Sequence, residues 1–88
     1  MGYCMMSTYY EHGTLTVDLH DMEVSMAARY LKKAVDQAPP RTSEIVVIHG
    51  YRQGQALMHY VRRTFTHRRL RGKRLGLNRG VTYLILEI

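Results

Sequence analysis

Residues 44–54 read Glu44-Ile45-Val46-Val47-Ile48-His49-Gly50-Tyr51-Arg52-Gln53-Gly54, and this stretch decides the fold. Four β-branched residues, Ile45 to Ile48, run into a histidine and then a glycine-bounded turn. Such a continuous apolar run predicts a strand buried on both faces, as in the middle of a parallel sheet. A helical period follows the turn. His49 is therefore expected at the strand's carboxyl end, which is where open α/β sheets hold their ligands.

Upstream, Gly13–His20 alternates cleanly, with Leu15, Val17 and Leu19 on one side and Thr14, Thr16, Asp18 and His20 on the other. Asp18 and His20 are two residues apart, so both are expected on the open side near the strand's end. Residues 23–38 carry apolar positions at spacings of three and four: Val24, Ala27, Ala28, Leu31, Val35 and Ala38. That is the inner stripe of an amphipathic helix. Asp21 is expected to cap its start, with Ser25 as competitor, and Pro39–Pro40 ends it. A helix between two strands makes a right-handed βαβ unit with parallel strands. Neighbouring strands of that unit would bring His20 and His49 to one edge of the sheet. Residues 1–12, rich in Tyr and Met, are expected to form a tail or an irregular edge, packed across the sheet or disordered in part, outside a domain spanning 13–88.

Downstream, Gln55–Arg68 predicts a second helix with Leu57, Tyr60, Val61, Thr64 and Phe65 inward and His59, Arg62, Arg63 and Thr66 outward. Its first free amides, placed after the Gly50–Gly54 turn, would favour an anion. Lys73–Leu77 and Val81–Ile88 read as a hairpin joined at Asn78-Arg79-Gly80. The order is β-α-β-α-β-β. The expected fold is an α/β, two-layer (α+β) sandwich, a four-stranded mixed sheet with two helices on one face.

Eighty-eight residues allow one small domain. Cys4 is the single cysteine, which excludes a disulfide framework or a cysteine-based metal site within one chain and fits a reducing cytoplasm. Met1–Tyr10 lacks the pattern of a signal peptide, and no run approaches the roughly 18 apolar residues of a membrane span. A cytoplasmic protein with no membrane partner is expected, its oligomeric state left open.

The net charge of +6 is unevenly spread. Residues 1–44 hold four basic and six acidic side chains, whereas residues 45–88 hold nine basic ones and Glu87 alone. Such a one-sided basic surface attracts polyanions by releasing condensed counterions. Arg62, Arg63, Arg68, Arg69, Arg71, Lys73, Arg74 and Arg79 are mostly arginine, the residue suited to phosphate, and are expected to contact phosphates as a group. The competing reading is a solubilising face with no partner. His12, His59 and His67 are expected on the surface, and Tyr51 could stack a base from its turn.

Three segments resemble the Smr (small MutS-related) family. Val17-Asp18-Leu19-His20 is similar to that family's L-D-x-H strand end, Ile48-His49-Gly50 followed by Gly54 to its H-G-x-G turn, and Gly80-Val81-Thr82 to its G-x-T ending. Their order and spacing agree over roughly residues 13–88. The resemblance implies a fold like the C-terminal domain of a bacterial translation initiation factor, nucleic-acid binding, and in several members endonuclease activity on DNA or RNA. Position by position, Asp18, His20, His49 and Gly50 match. Arg52 stands where the second glycine of H-G-x-G belongs, with Gly54 two residues later, and Asp21 replaces the glycine usual after L-D-x-H.

Two histidines at one strand edge suit general acid–base chemistry on a phosphodiester, one taking the proton of the attacking oxygen and the other protonating the leaving oxygen. Asp18 would orient His20 or raise its pKa. Arg52 and the helix amides would hold the developing negative charge; Gly50 and Gly54 are candidates for phosphate binding in the same turn, although turn geometry alone is the favoured explanation of both glycines. Asp18, His20 and His49 could also ligate a divalent metal. No other cofactor is implied. The expected function is nucleic-acid binding, with DNA and RNA not distinguished, and with endonuclease activity. The rivals are a binding module without catalysis and a protein-interaction domain with a basic face.

Overall fold

A computed structural model describes residues 8–51 and 55–87. The elements are β1 (Thr8–Glu11), β2 (Thr14–Asp18), α1 (Val24–Gln37), β3 (Glu44–Ile48), α2 (Ala56–His59), a π-helical turn continuing it (Tyr60–Thr64), β4 (Leu70–Leu75) and β5 (Val81–Leu86). The strands form one mixed sheet in the order β1-β2-β3-β5-β4. β2 and β3 run parallel; the other neighbouring pairs are antiparallel.

The sheet therefore has five strands, not four. The extra one, β1, lies in the segment expected to be a tail and pairs with β2 through the two-residue turn His12–Gly13, both with positive φ. That backbone matches the turns which join tightly twisted hairpins. The remainder of the expected tail, residues 1–7, lies outside the described residues.

Both helices pack on one face of the sheet. Ala27, Leu31 and Val35 of α1, and Leu57, Val61 and Phe65 of the second helical segment and its end, share a core with Leu15, Val17, Leu19, Ile45, Val47, Leu84 and Leu86. Among the described residues nothing covers the opposite face, which corrects the expectation for β3. Ile45 and Val47 are fully buried, but Val46 and Ile48 are only half-buried. Their apolar character is explained across strands: Val46 pairs with Tyr83 and Ile48 with Val81 on the same open face. Arg74 lies on that face too, 4.3 Å from the centre of the Tyr83 ring and 2.6 Å from Glu44.

Helix α1 begins after Glu23, with no side-chain cap. Asp21, the expected cap, instead has φ 69° in the turn closed by the Met22 amide on the Leu19 carbonyl at 3.1 Å. The helix ends where Pro39 forces it to: Ala38 is extended, at φ −63° and ψ 140°. The second helix stops at Thr64 rather than Arg68, its last turn wound so that the Phe65 amide reaches the Tyr60 carbonyl at 2.8 Å. β4 starts three residues earlier than expected and ends at Leu75, leaving Leu77 exposed in the approach to the final turn. Among the described residues, no helix is long and apolar enough to cross a membrane.

Candidate functional site

Because β2 and β3 are parallel neighbours, their carboxyl ends lie side by side. The Leu19 amide donates to the Ile48 carbonyl at 2.7 Å, so the chain leaves both strands together. A Cβ placed on Gly50 would lie 3.6 Å from the Cβ of His20. A cleft of about 860 Å³ opens there, and both histidines line it with Asp21, Gly50, Tyr51 and Gly80. Its walls include residues 22–24 before and at the start of α1 and residues 56–57 of α2. This is the ligand-bearing edge expected of an α/β sheet.

His20 is exposed and held from one side. Its Nδ1–H donates to Asp18 Oδ1 at 2.5 Å, and its own amide donates to the same oxygen at 3.1 Å. A carboxylate only accepts, so the tautomer is fixed and Nε2 is left outward. Asp21 Oδ2 is 3.7 Å from that nitrogen. The hydrogen bond and negative charge of Asp18, with the charge of Asp21, hold the His20 pKa above its ordinary 6.5.

His49 is placed differently. It continues the inward alternation of Ile45 and Val47 and is only 3% exposed. Its Nδ1–H donates to the Gly50 carbonyl at 2.8 Å, and its Nε2 accepts from the Thr82 hydroxyl at 2.8 Å. Thr82 Oγ1 in turn accepts the Nε–H of Arg62 at 2.8 Å. The chain Arg62–Thr82–His49–Gly50 uses both ring nitrogens of a neutral imidazole. Burial, aided by the Arg62 charge, pulls the His49 pKa below 6.5. Its lone pair thus points into the protein, whereas the sequence reading expected an accessible acid or base.

The turn after β3 is tied to the turn before β5. The His49 and Gly50 amides both donate to the Gly80 carbonyl, at 2.9 and 3.0 Å. Gly50 has φ 73°, a conformation costly for other residues. At Gly80 the need is closeness: an added Cβ would sit 3.2 Å from Gly50 Cα. Asn78 Oδ1 fixes this second turn by accepting the Gly80 amide at 2.8 Å.

The basic residues separate into two sets. Arg62 also donates to the carbonyls of Arg79 and Val81. Arg69 donates to the carbonyls of Val35, Ala38 and Pro39, capping the end of α1. Arg74 is engaged by Glu44 and Tyr83. Arg62 and Arg69, expected as phosphate contacts, have N–H groups committed inside the fold, whereas Arg74 stays exposed with one nitrogen paired to Glu44 at the surface. Arg63, Arg68, Arg71 and Arg79 are exposed, Lys73 is half-buried, and none has a side-chain bond among the described residues. Arg52 and Gly54 lie outside the described residues.

His67 is not a plain surface residue. Its side chain is 6% exposed, bonds Asp36 at 2.6 Å and accepts the Arg69 amide at 3.1 Å. With Lys32, it pulls the Asp36 pKa down. His12 and His59 are exposed as expected. Among the described residues, no group of three or more His, Cys, Asp or Glu side chains is gathered to hold a metal ion. Asp18 and His20 converge, but His49 turns its nitrogens elsewhere, so these three do not form a ligand set.

Thr82 belongs to the site although it is not among the candidates read from the sequence. Its signal was present: it alternates with the buried Leu84 and Leu86, and an inward hydroxyl in such a strand needs a partner. Comparison with protein-family models, curated proteins and solved structures gives no match.

Proposed function

We propose that the protein is a nucleic-acid-binding domain of the Smr kind, in which His20 meets a backbone phosphate at the mouth of the carboxyl-edge cleft. The observation that carries this reading is spatial. The three segments on which the resemblance rests, Asp18–His20, His49–Gly50 and Gly80–Thr82, are distant in sequence and converge at this cleft and its rear wall. Asp21 adds support: where the family's pattern has glycine, its backbone is left-handed, a conformation natural to glycine and tolerated by aspartate.

The chemistry follows from His20. Its raised pKa favours the imidazolium, and its outward Nε2–H can donate a charge-assisted hydrogen bond to a phosphate oxygen. In a cleavage reaction the same proton would pass to the leaving oxygen as the phosphorus–oxygen bond breaks. A second reading, binding without cleavage, is favoured by His49. The cleft offers one imidazole with a free nitrogen, and the attacking oxygen would need a base that His49 supplies only if its Thr82 bond opens.

The test is binding and cleavage of labelled single-stranded and duplex DNA and RNA by the parent and by His20→Gln. Weaker binding by the variant, with cleavage confined to the parent, supports a nuclease. Weaker binding with no cleavage by either supports the binding module. If the parent binds none of them in low salt, the reading fails and a protein partner for the basic side replaces it.

A further inference from the structure

A second groove lies on the other side of the helix that borders the cleft. It has a volume of about 370 Å³ and is lined by Met58, His59, Arg62, Arg63, Lys73 and Leu75. The helical segment supplies the first four at spacings that place them on one flank. β4 supplies the other two from the helix-bearing side of the sheet, where Lys73 pairs with Leu84 and Leu75 with Thr82.

The charge of this groove is of one sign. Four nitrogen-bearing side chains line it and, among the described residues, no carboxylate does. Two exposed cations elsewhere have acids, Lys32 with Asp36 and Arg74 with Glu44, whereas Arg68, Arg71 and Arg79 are exposed without a side-chain bond among the described residues and are not gathered in this groove. Here Arg62 is turned toward β5, but Arg63 and Lys73 have no bonding partner among the described residues. Lys73 is half-buried, and burial without a counter-charge pulls its pKa below the ordinary 10.5. Like charges gathered on one surface repel one another, and an anion bound between them relieves that cost. Met58 and Leu75 add an apolar surface beside the cations, and Leu75 is exposed although it belongs to a strand. Cations next to an exposed apolar strip match a nucleic-acid strand, which offers phosphate on one side and a sugar or base face on the other.

We propose that the groove between α2 and β4 holds the phosphodiester backbone of the bound nucleic acid, with Arg63 and Lys73 as phosphate ligands and Met58 and Leu75 against sugar or base. This rests on the nucleic-acid reading above and adds a second anchoring point apart from His20. A strand bound at both places would straddle the segment from Ala56 to Thr64. Of the basic residues in the carboxyl half, these two therefore carry more of the salt dependence than their number suggests.

The experiment measures affinity for a labelled oligonucleotide across a series of NaCl concentrations. It uses the parent, Arg63→Gln, Lys73→Met, the double variant and Lys33→Gln, which removes the same charge from the surface of α1. Each groove variant is expected to weaken binding and to reduce the slope of log K against log [NaCl] by about 1, the double by about 2. Lys33→Gln is expected to change the slope by less than half as much as either. Lys73→Met should melt no lower than the parent, since burial already opposes the ammonium, so its weaker binding reports contact and not unfolding. A parallel titration with inorganic pyrophosphate, followed by amide shifts of Arg63 and Lys73, separates the two claims. If the oligonucleotide binds with an undiminished slope in the double variant, the groove proposal is overturned and the nucleic-acid reading survives. If pyrophosphate shifts the groove but no oligonucleotide binds the parent, nucleic acid is the wrong ligand and only an anion groove remains. If polyglutamate binds more tightly than an oligonucleotide of equal charge, the partner is acidic protein and the proposal falls.

Discussion

Replacing Thr82 by valine isolates the interior chain that sets the cleft's rear wall. The side chain keeps its shape and gains no cavity, and only the hydroxyl is lost. Two bonds of 2.8 Å go with it, from His49 Nε2 and from Arg62 Nε. The His49 nitrogen is buried and would be left without a donor, which costs about 1–3 kcal/mol. Arg62 is half-exposed and keeps two carbonyl acceptors, so its loss is smaller, about 0.5–1 kcal/mol. The expected destabilisation is therefore about 1.5–4 kcal/mol, which in a domain of this size lowers the melting temperature by about 6–30 °C. Thr82→Ser keeps the hydroxyl and loses one buried methyl, about 1 kcal/mol. Urea unfolding of both variants at pH 7.5 gives the comparison directly. A valine variant as stable as the serine variant would refute the claim that His49 and Arg62 depend on this hydroxyl.

Other outcomes follow from the same geometry. Followed by NMR, the His20 ring should titrate above 6.5 and the His49 ring below it, and Asp18→Asn should move His20 down toward 6.5. The signs for stability are opposite. His20, with its raised folded pKa, contributes fully below 6.5 and loses that contribution as pH rises through the raised value. His49 contributes fully above 6.5 and loses it as pH falls toward its lowered value. Denaturation at a series of pH values with His20→Gln should remove the decline on the alkaline side. Arg69→Gln should destabilise by about 1–3 kcal/mol, because three carbonyls lose a charged donor, while leaving oligonucleotide affinity near that of the parent. Thr42→Val should be neutral or stabilising by up to about 1 kcal/mol, since the Thr42 hydroxyl is buried and has no partner among the described residues; thermal melting reads both.

The βαβ half of the fold was legible because local signals agreed. Gly13–His20 alternates, residues 23–38 keep one stripe, and Pro39–Pro40 closes it, so parallel strands with adjacent ends followed. β1 was not legible: Thr-Tyr-Tyr-Glu is short and lacks alternation, and its turn is His12–Gly13 rather than the asparagine–glycine pair that signals a hairpin. In β3, four β-branched residues concealed that the two faces differ, because among the described residues cross-strand neighbours and not a second helix layer shelter Val46 and Ile48. At the site, sequence placed Asp18, His20 and His49 at one edge but could not tell the exposed imidazole from the buried one. That difference is one residue of strand parity, with His49 inward and Asp18 outward, followed by a turn that carries His20 outward. The arginines were beyond local reading altogether. Arg69 meets carbonyls 30 to 34 residues away and Arg62 meets Thr82 20 residues away, partners that only the tertiary fold supplies.

The claim most worth measuring is that nucleic acid docks at the carboxyl edge of β2 and β3. Amide chemical-shift mapping with a short single-stranded oligonucleotide in low salt addresses it in one titration. The largest shifts are expected at His20, Asp21, Gly50, Tyr51 and Gly80, fading as salt is added. Shifts confined to the sheet face away from the helices, at Thr16, Val46 and Tyr83, or no shifts at all, would contradict it.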